Sequence, residues 1–234
     1  MRTWPRLYAI VDAGAAVRAG WRPADLARAY LDGGARLLQL RASGADAATQ
    51  LGWCREIVTL AAPVGARVIV NDRCDLALMA GADGVHLGQE DLPIKEARRL
   101  LGPAALIGLS THADDADHDP DEDTDGDQVG AALQQPLSYL AIGPVYDTRT
   151  KNTGRAAIGT ATVRRTATRA GHLPVVAIGG ITLATAPEVI AAGAAAVAVI
   201  ADLLAGGDPA ARVRAYLDLL GESGTENSYP SRFG

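Results

Sequence analysis

The sequence predicts a single α/β domain, a (β/α)8 TIM barrel with an acidic insertion after the fifth strand. Three observations point there. The strand-like runs are short, continuously apolar and free of internal proline, as parallel strands buried on both faces should be. Segments with apolar residues three and four apart, the helical signature, separate most of them. Eight such strands within 234 residues fit one barrel. Composition agrees: 48% of residues are hydrophobic but only 4% aromatic. The core must therefore rest on Ala, Val, Leu and Ile, which suits helices packed around a parallel sheet. A doubly wound open sheet is the alternative. It is disfavoured because no Gly-x-Gly-x-x-Gly follows the first strand.

In order, the first strand is Leu7–Asp12, an apolar run closed by Asp12, and a helix over Pro23–Asp32 follows. The second strand is Leu37–Arg41, then a helix over Ala47–Ala61. Val68–Asn71 and Gly84–Leu87 are the third and fourth strands, followed by a helix over Ile94–Leu101. Leu106–Leu109 is the fifth strand and Tyr139–Gly143 the sixth, the latter leading to a helix over Thr160–Ala170. Val175–Gly179, a helix over Ala184–Ala191, Ala196–Ile200 and a helix over Pro209–Leu220 complete the series. Gly33-Gly34, Gly81-Ala82 and Gly193-Ala194 fall after helices, where a left-handed C-terminal cap is wanted.

One unit breaks the pattern. After Ser110 a helix is due, but nine acids crowd the segment from Asp114 to Asp127. Like charges at that density repel one another and resist folding. The barrel is therefore expected to span 1–222, with 114–129 a solvated, mobile insertion and Gly130–Gln135 the remnant of the fifth helix. A calcium loop is the sharper reading of the acids, but EF-hand spacing is missing. Residues 223–234 are expected to form a disordered tail. The acids also explain the formal net charge of -5; without them the remainder is mildly basic, which suits phosphorylated substrates. No Lys/Arg run or interleaved aromatics point to nucleic acid. The uncharged stretch Val189–Ala201 falls short of the roughly 20 residues that span a bilayer. Cys54 and Cys74 sit in helical segments without metal spacing, as reduced structural thiols. A cytoplasmic protein without a membrane partner is expected, its oligomeric state left open.

Barrels carry their chemistry at the C-terminal ends of the strands. Asp72 ends the third strand and Asp91 lies just past the fourth. Two carboxylates brought to one edge suit Mg²⁺, which binds one or two acids plus substrate phosphates. The bland reading makes Asp72 a helix cap and Asp91 a turn residue. Gln39 and Arg41, two apart, point to one face, and Arg41 inside a barrel needs an anion to pair with. Asn71 and Ser110 occupy further strand ends. Gly179-Gly180 closes the seventh strand, where glycines and a following helix can receive phosphate. Ile200 and Ala201 would complete that site through main-chain N–H groups. Thr148, Thr150 and Lys151 form a loop whose hydroxyls and ammonium suit phosphoryl oxygens, or a merely solvated one. His86 and His112 read as hydrogen-bonded core residues and stand outside the catalytic set.

Gln39-Leu40-Arg41, Asn71-Asp72-Arg73, Asp83 to Asp91, Gly108 to His112, Gly143 to Tyr146, Thr148 to Lys151 and Ala177 to Ile181 together resemble the thiamine-phosphate synthase family. They run from the second strand to the eighth in the right order. The resemblance implies a TIM barrel that joins hydroxymethylpyrimidine diphosphate to a thiazole phosphate, giving thiamine phosphate and diphosphate with Mg²⁺. It implies Asp72 and Asp91 as metal ligands, and Gln39, Arg41, Asn71, Ser110 and Lys151 on the pyrimidine diphosphate. Thr148, Thr150, Gly180, Ile200 and Ala201 would hold the thiazole phosphate. Arg41, Lys151 and Ser110 are the expected catalytic set. In the implied mechanism the C–O bond breaks first and the thiazole nitrogen captures the cation. Three positions depart from the family. Ser43 stands in the diphosphate site where a lysine is usual, Ala201 replaces a common serine, and the acidic insertion follows Ser110. A thiazole tautomerase and a non-catalytic phosphate-binding barrel are the alternatives. The Asn71-Asp72 pair, and Pro144 where tautomerases carry histidine, favour the synthase; Ser43 is the feature that favours the binder.

Overall fold

In a computed structural model, residues 4–112, 127–148 and 156–222 are described. Eight parallel strands close into a barrel in chain order, β1 pairing with both β2 and β8. They are β1 Leu7–Asp12, β2 Leu37–Arg41, β3 Arg67–Asn71, β4 Gly84–Leu87, β5 Leu106–Thr111, β6 Tyr139–Ile142, β7 Val175–Ile178 and β8 Ala196–Val199. Around them run α1 Ala13–Arg18, α2 Pro23–Asp32, α3 Ala47–Ala61, α4 Cys74–Ala80, α5 Ile94–Leu101, α6 Gln128–Leu133, α7 Gly159–Ala170, α8 Ala186–Ala191 and α9 Pro209–Leu219. The expected strands are all present, with ends shifted by one or two residues. The short α1 was not anticipated; Asp12 both ends β1 and caps α1, its carboxylate accepting from Ala15 N at 2.8 Å.

Strand periodicity sorts the side chains into two layers. Alternate residues such as Ala9, Leu38, Val70, Val85, Ile107, Leu140, Ala177 and Val197 face outward into the larger core shared with the helices. The others, including Tyr8, Ile10, Leu37, Ile69, Tyr139 and Val176, fill the barrel. Bulk inside is matched by small residues. Gly108 lies beside Tyr139 in the β5–β6 register, and a Cβ there would stand 2.0 Å from the Tyr139 ring. The scarcity of aromatics thus hides their concentration: Tyr8 and Tyr139, both buried, share the barrel interior with Trp4.

Asp127 corrects one expectation. It is not part of a solvated acidic block: it caps α6 through Gly130 N at 2.8 Å and pairs with Arg169 of α7. The helix there opens at Gln128 rather than Gly130. The rest of the acidic segment, 114–126, and the tail, 223–234, lie outside the described residues. Cys54 and Cys74 are free and buried, and burial pushes both thiols up to about 11. They stay protonated near neutral pH and so are poor nucleophiles. Among the described residues, no helix is long and apolar enough to cross a membrane.

Candidate active site

A cavity of about 490 Å³ opens at the C-terminal ends of the strands. Its wall brings together Gln39, Arg41, Asn71, Ser110, Thr148, Gly180, Ile200 and Ala201. These come from β2, β3 and β5 and from the loops after β6, β7 and β8, so only barrel closure makes them neighbours. Thr150 and Lys151 lie outside the described residues. Asp72, Asp91 and Ser43 lie outside the cavity wall; Ser43 is exposed in the turn after β2.

Arg41 requires a correction. The anion it needs inside the barrel is supplied by the protein: Asp12 Oδ2 accepts from Arg41 Nη1 at 2.5 Å. Its interior position alone therefore does not call for a ligand. Arg41 is nonetheless the one Lys or Arg among the described wall residues. A guanidinium offers five N–H donors, so a carboxylate on one nitrogen leaves others for a phosphoryl oxygen. Asp12 fixes its direction.

At the β3 end, Asp72 has φ +63°, the one non-glycine residue with positive φ among those described. Side chains rarely occupy that region, though Asp and Asn tolerate it best, and such residues concentrate at functional sites. The backbone is held there by Asp72 N donating to His86 O at 2.8 Å. The N-cap of α4 is Arg73, not the Asp72 of the bland reading. Asp91 does sit in a turn, where its Oδ2 accepts from Gly88 N at 2.7 Å. Registered pairing of Asn71 with His86 puts the ends of β3 and β4 side by side. Among the described residues no cluster of three or more His, Cys, Asp or Glu could hold a metal by itself. Two hard carboxylates fit Mg²⁺, which keeps water and substrate phosphate in its other positions.

The opposite half of the rim is backbone-rich. Gly179 and Gly180 have φ of +99° and +64°. A Cβ on Gly179 would lie 2.6 Å from Pro144 Cα, and one on Gly180 2.5 Å from Asp147 O. The pair therefore lets the β6 and β7 loops close on each other at the cavity. The helix that follows, expected from Ala184, begins at Ala186. After β8 a short 3-10 turn opens at Ala201 without a side-chain cap, leaving main-chain donors as the local chemistry. Asp202 ties this half together. Its carboxylate accepts from Leu183 N at 3.0 Å, from Arg212 Nη2 at 2.8 Å and from Tyr216 OH at 2.6 Å. Tyr146 donates to Glu188 of α8, and burial, then Glu188, pushes its phenol up to about 12.

Sequence reasoning missed the residues beneath the floor. Tyr8, Tyr139 and His86 connect Gln39 to Ser110 by hydrogen bonds, although the five residues lie on five different strands. His86 is buried and hydrogen-bonded, as read, but it also lines the cavity, as does His112. The usable signal was the inward period of Tyr8, Gln39, His86, Ser110 and Tyr139.

A family model described as thiamine monophosphate synthase matches residues 7–203. A thiamine-phosphate synthase of Mycobacterium sp. (strain KMS) is 42% identical over 206 residues, covering 84% of this chain and 85% of its own. One from Thermus thermophilus is 39% identical over 218 residues, 92% of this chain and 97% of its own. Among solved structures, thiamine phosphate pyrophosphorylase from Pyrococcus furiosus superposes with a TM-score of 0.78 at 28% identity, over 94% of this chain and 98% of its own. Phosphoribosyl anthranilate isomerase of Thermus thermophilus, at 18% identity and a TM-score of 0.60 over 93% and 98%, shares the fold alone. With strand-end chemistry, cavity and sequence in agreement, the chain belongs to the thiamine monophosphate synthase family.

Proposed function

We propose that this cavity joins hydroxymethylpyrimidine diphosphate to a thiazole phosphate, with Mg²⁺ held by Asp72 and Asp91. The transferase activity, formation of thiamine phosphate, is that of the family. The observation that carries the site assignment is the convergence of eight expected ligand residues on one cavity wall. At about 490 Å³ that cavity falls within the usual range for small-molecule sites. Gln39, Asn71 and Ser110 orient the pyrimidine diphosphate. Arg41 and Lys151 supply positive charge where the departing diphosphate accumulates negative charge. Thr148, Thr150, Gly180, Ile200 and Ala201 hold the thiazole phosphate. When bound, Mg²⁺ would neutralise diphosphate oxygens and so make that group easier to expel.

No side chain has to act as nucleophile or base. The electron pair of the C–O bond leaves with the diphosphate, and the lone pair of the thiazole nitrogen forms the new C–N bond. No proton changes hands in that exchange, which accords with a wall built for charge and orientation. The isomerase reading asks for a group that moves a proton where Pro144 forms the wall, and Pro144 has none. Incubating purified protein with both phosphorylated substrates and Mg²⁺ should release thiamine phosphate and diphosphate in equal amounts. Isomerised thiazole phosphate without thiamine phosphate would reject the synthase assignment.

A further inference from the structure

We propose that Tyr8, Tyr139 and His86 are positioning residues, a one-way chain of hydrogen bonds that fixes which group Gln39 and Ser110 each present to the ligand. Gln39 Nε2 donates to Tyr8 OH at 2.8 Å. Tyr8 OH and Tyr139 OH are 3.0 Å apart, and Tyr139 OH lies 3.0 Å from His86 Nδ1. His86 Nε2 then reaches Ser110 Oγ at 2.8 Å. Tyr139 also stacks on the His86 ring, centroids 5.6 Å apart, so ring plane and hydrogen bond agree on one orientation.

Each phenol has one proton to give. Burial pushes both phenols well above their ordinary range, so both keep it. Tyr8 accepts from Gln39 and must donate to Tyr139; Tyr139 accepts from Tyr8 and must donate to His86 Nδ1. Neutral His86 then carries its proton on Nε2 and donates to Ser110 Oγ. Ser110, with one lone pair taken by His86, keeps its own proton to give toward the cavity. At the other end, Gln39 has spent its amide nitrogen on Tyr8 and leaves Oε1 to the ligand. The cavity thus meets its ligand with a carbonyl acceptor from β2 and a hydroxyl donor from β5. A ligand with an N–H group on its ring and an anionic oxygen elsewhere satisfies both, whereas an oxo group in place of the amine leaves Gln39 Oε1 without a donor. The chemistry rests on the proposed pyrimidine diphosphate site; the tautomer does not.

The test begins with the ¹⁵N resonances of the His86 ring in the unmodified protein, assigned by their loss in His86→Gln. The neutral Nε2–H tautomer is expected, and the Nδ1–H tautomer would overturn the relay. Steady-state kinetics of Tyr139→Phe, Ser110→Ala and the double variant follow. Tyr139→Phe should lower kcat/KM for the pyrimidine diphosphate about tenfold, the scale of one oriented hydrogen bond. KM for the thiazole phosphate should not move, and in the Ser110→Ala background the second change should add nothing. Full additivity of the two changes would show that Tyr139 does not act through Ser110. If Tyr139→Phe folds poorly, Tyr8→Phe, which cuts the chain at the Gln39 arm, gives the matching comparison in a Gln39→Ala background, where it should add nothing. Absence of thiamine phosphate from the unmodified protein would reject the assigned substrates, and the ring tautomer would still decide the relay.

Discussion

At the scale of single residues, the account turns on how few cations the cavity owns. Arg41 is shared with Asp12, and Ser43, at the position where the family resemblance implies a lysine, stands exposed. Arg73, next in sequence to Asp72, is engaged by Asp75 through two hydrogen bonds of 2.8 and 2.6 Å. It is therefore not poised as a substitute. A hydrogen bond to a charged group is worth about 1.5–3 kcal/mol. Ser43→Lys should accordingly raise kcat/KM for the pyrimidine diphosphate by about 10- to 100-fold and leave the thiazole KM nearly unchanged. Steady-state kinetics with each substrate varied in turn checks this; no change would mean that another cation already serves. Asp12→Asn should act in the opposite sense, releasing Arg41 from its fixed direction and raising KM for the pyrimidine diphosphate several-fold.

Between elements, the half of the rim proposed for the thiazole phosphate is tied together by Asp202. Asp202 holds the loop after β7 through Leu183 and α9 through Arg212 and Tyr216. Burial and the neighbouring Asp202 carboxylate together push the Tyr216 phenol upward, so it remains a donor at any pH the protein would meet. Asp202→Asn replaces a charge-assisted set with weaker, partly mismatched contacts, and about 1.5–3 kcal/mol is at stake. The variant should melt lower and show a several-fold higher KM for the thiazole phosphate, with the pyrimidine diphosphate KM unaffected. Thermal melts and paired KM values read both effects; a loss confined to stability would separate the clamp from the site.

For the molecule as a whole, the barrel interior couples packing to chemistry. Gly108 makes room for Tyr139, and Tyr139 links β6 to His86 on β4. Gly108→Ala would force the ring to move, an overpacking cost of typically about 1–3 kcal/mol. It should lower the melting temperature and also cut activity, whereas Gly81→Ala, where no atom crowds a new Cβ, should only strain a left-handed cap. The fold was legible because most strands are short apolar runs and Gly33, Gly81 and Gly193 mark helix ends. The rim was legible because strand ends must be polar only if something uses them. What escaped was pairing between strands: Asp12 facing Arg41 across the β1–β2 register, and Tyr8 meeting Tyr139 across 131 residues. No local pattern announces a partner on a distant strand. The helix capped by Asp127 escaped for another reason, since one acid among nine looks like its neighbours until Arg169 arrives to pair with it.

The central claim is that the two carboxylates at the β3 and β4 ends serve metal-dependent synthesis in this cavity. The direct measurement is thiamine phosphate formation by the unmodified protein and by Asp72→Ala, each with Mg²⁺ and with excess chelator. Asp72 sits exposed at the end of β3, so its loss should spare the fold, with a modest fall in melting temperature because alanine tolerates φ +63° less well than aspartate. The account predicts robust turnover only for the unmodified protein with Mg²⁺, and a fall of at least 100-fold, on the order of 3 kcal/mol, in Asp72→Ala. Full activity in chelator, or unchanged activity in the variant, would contradict it.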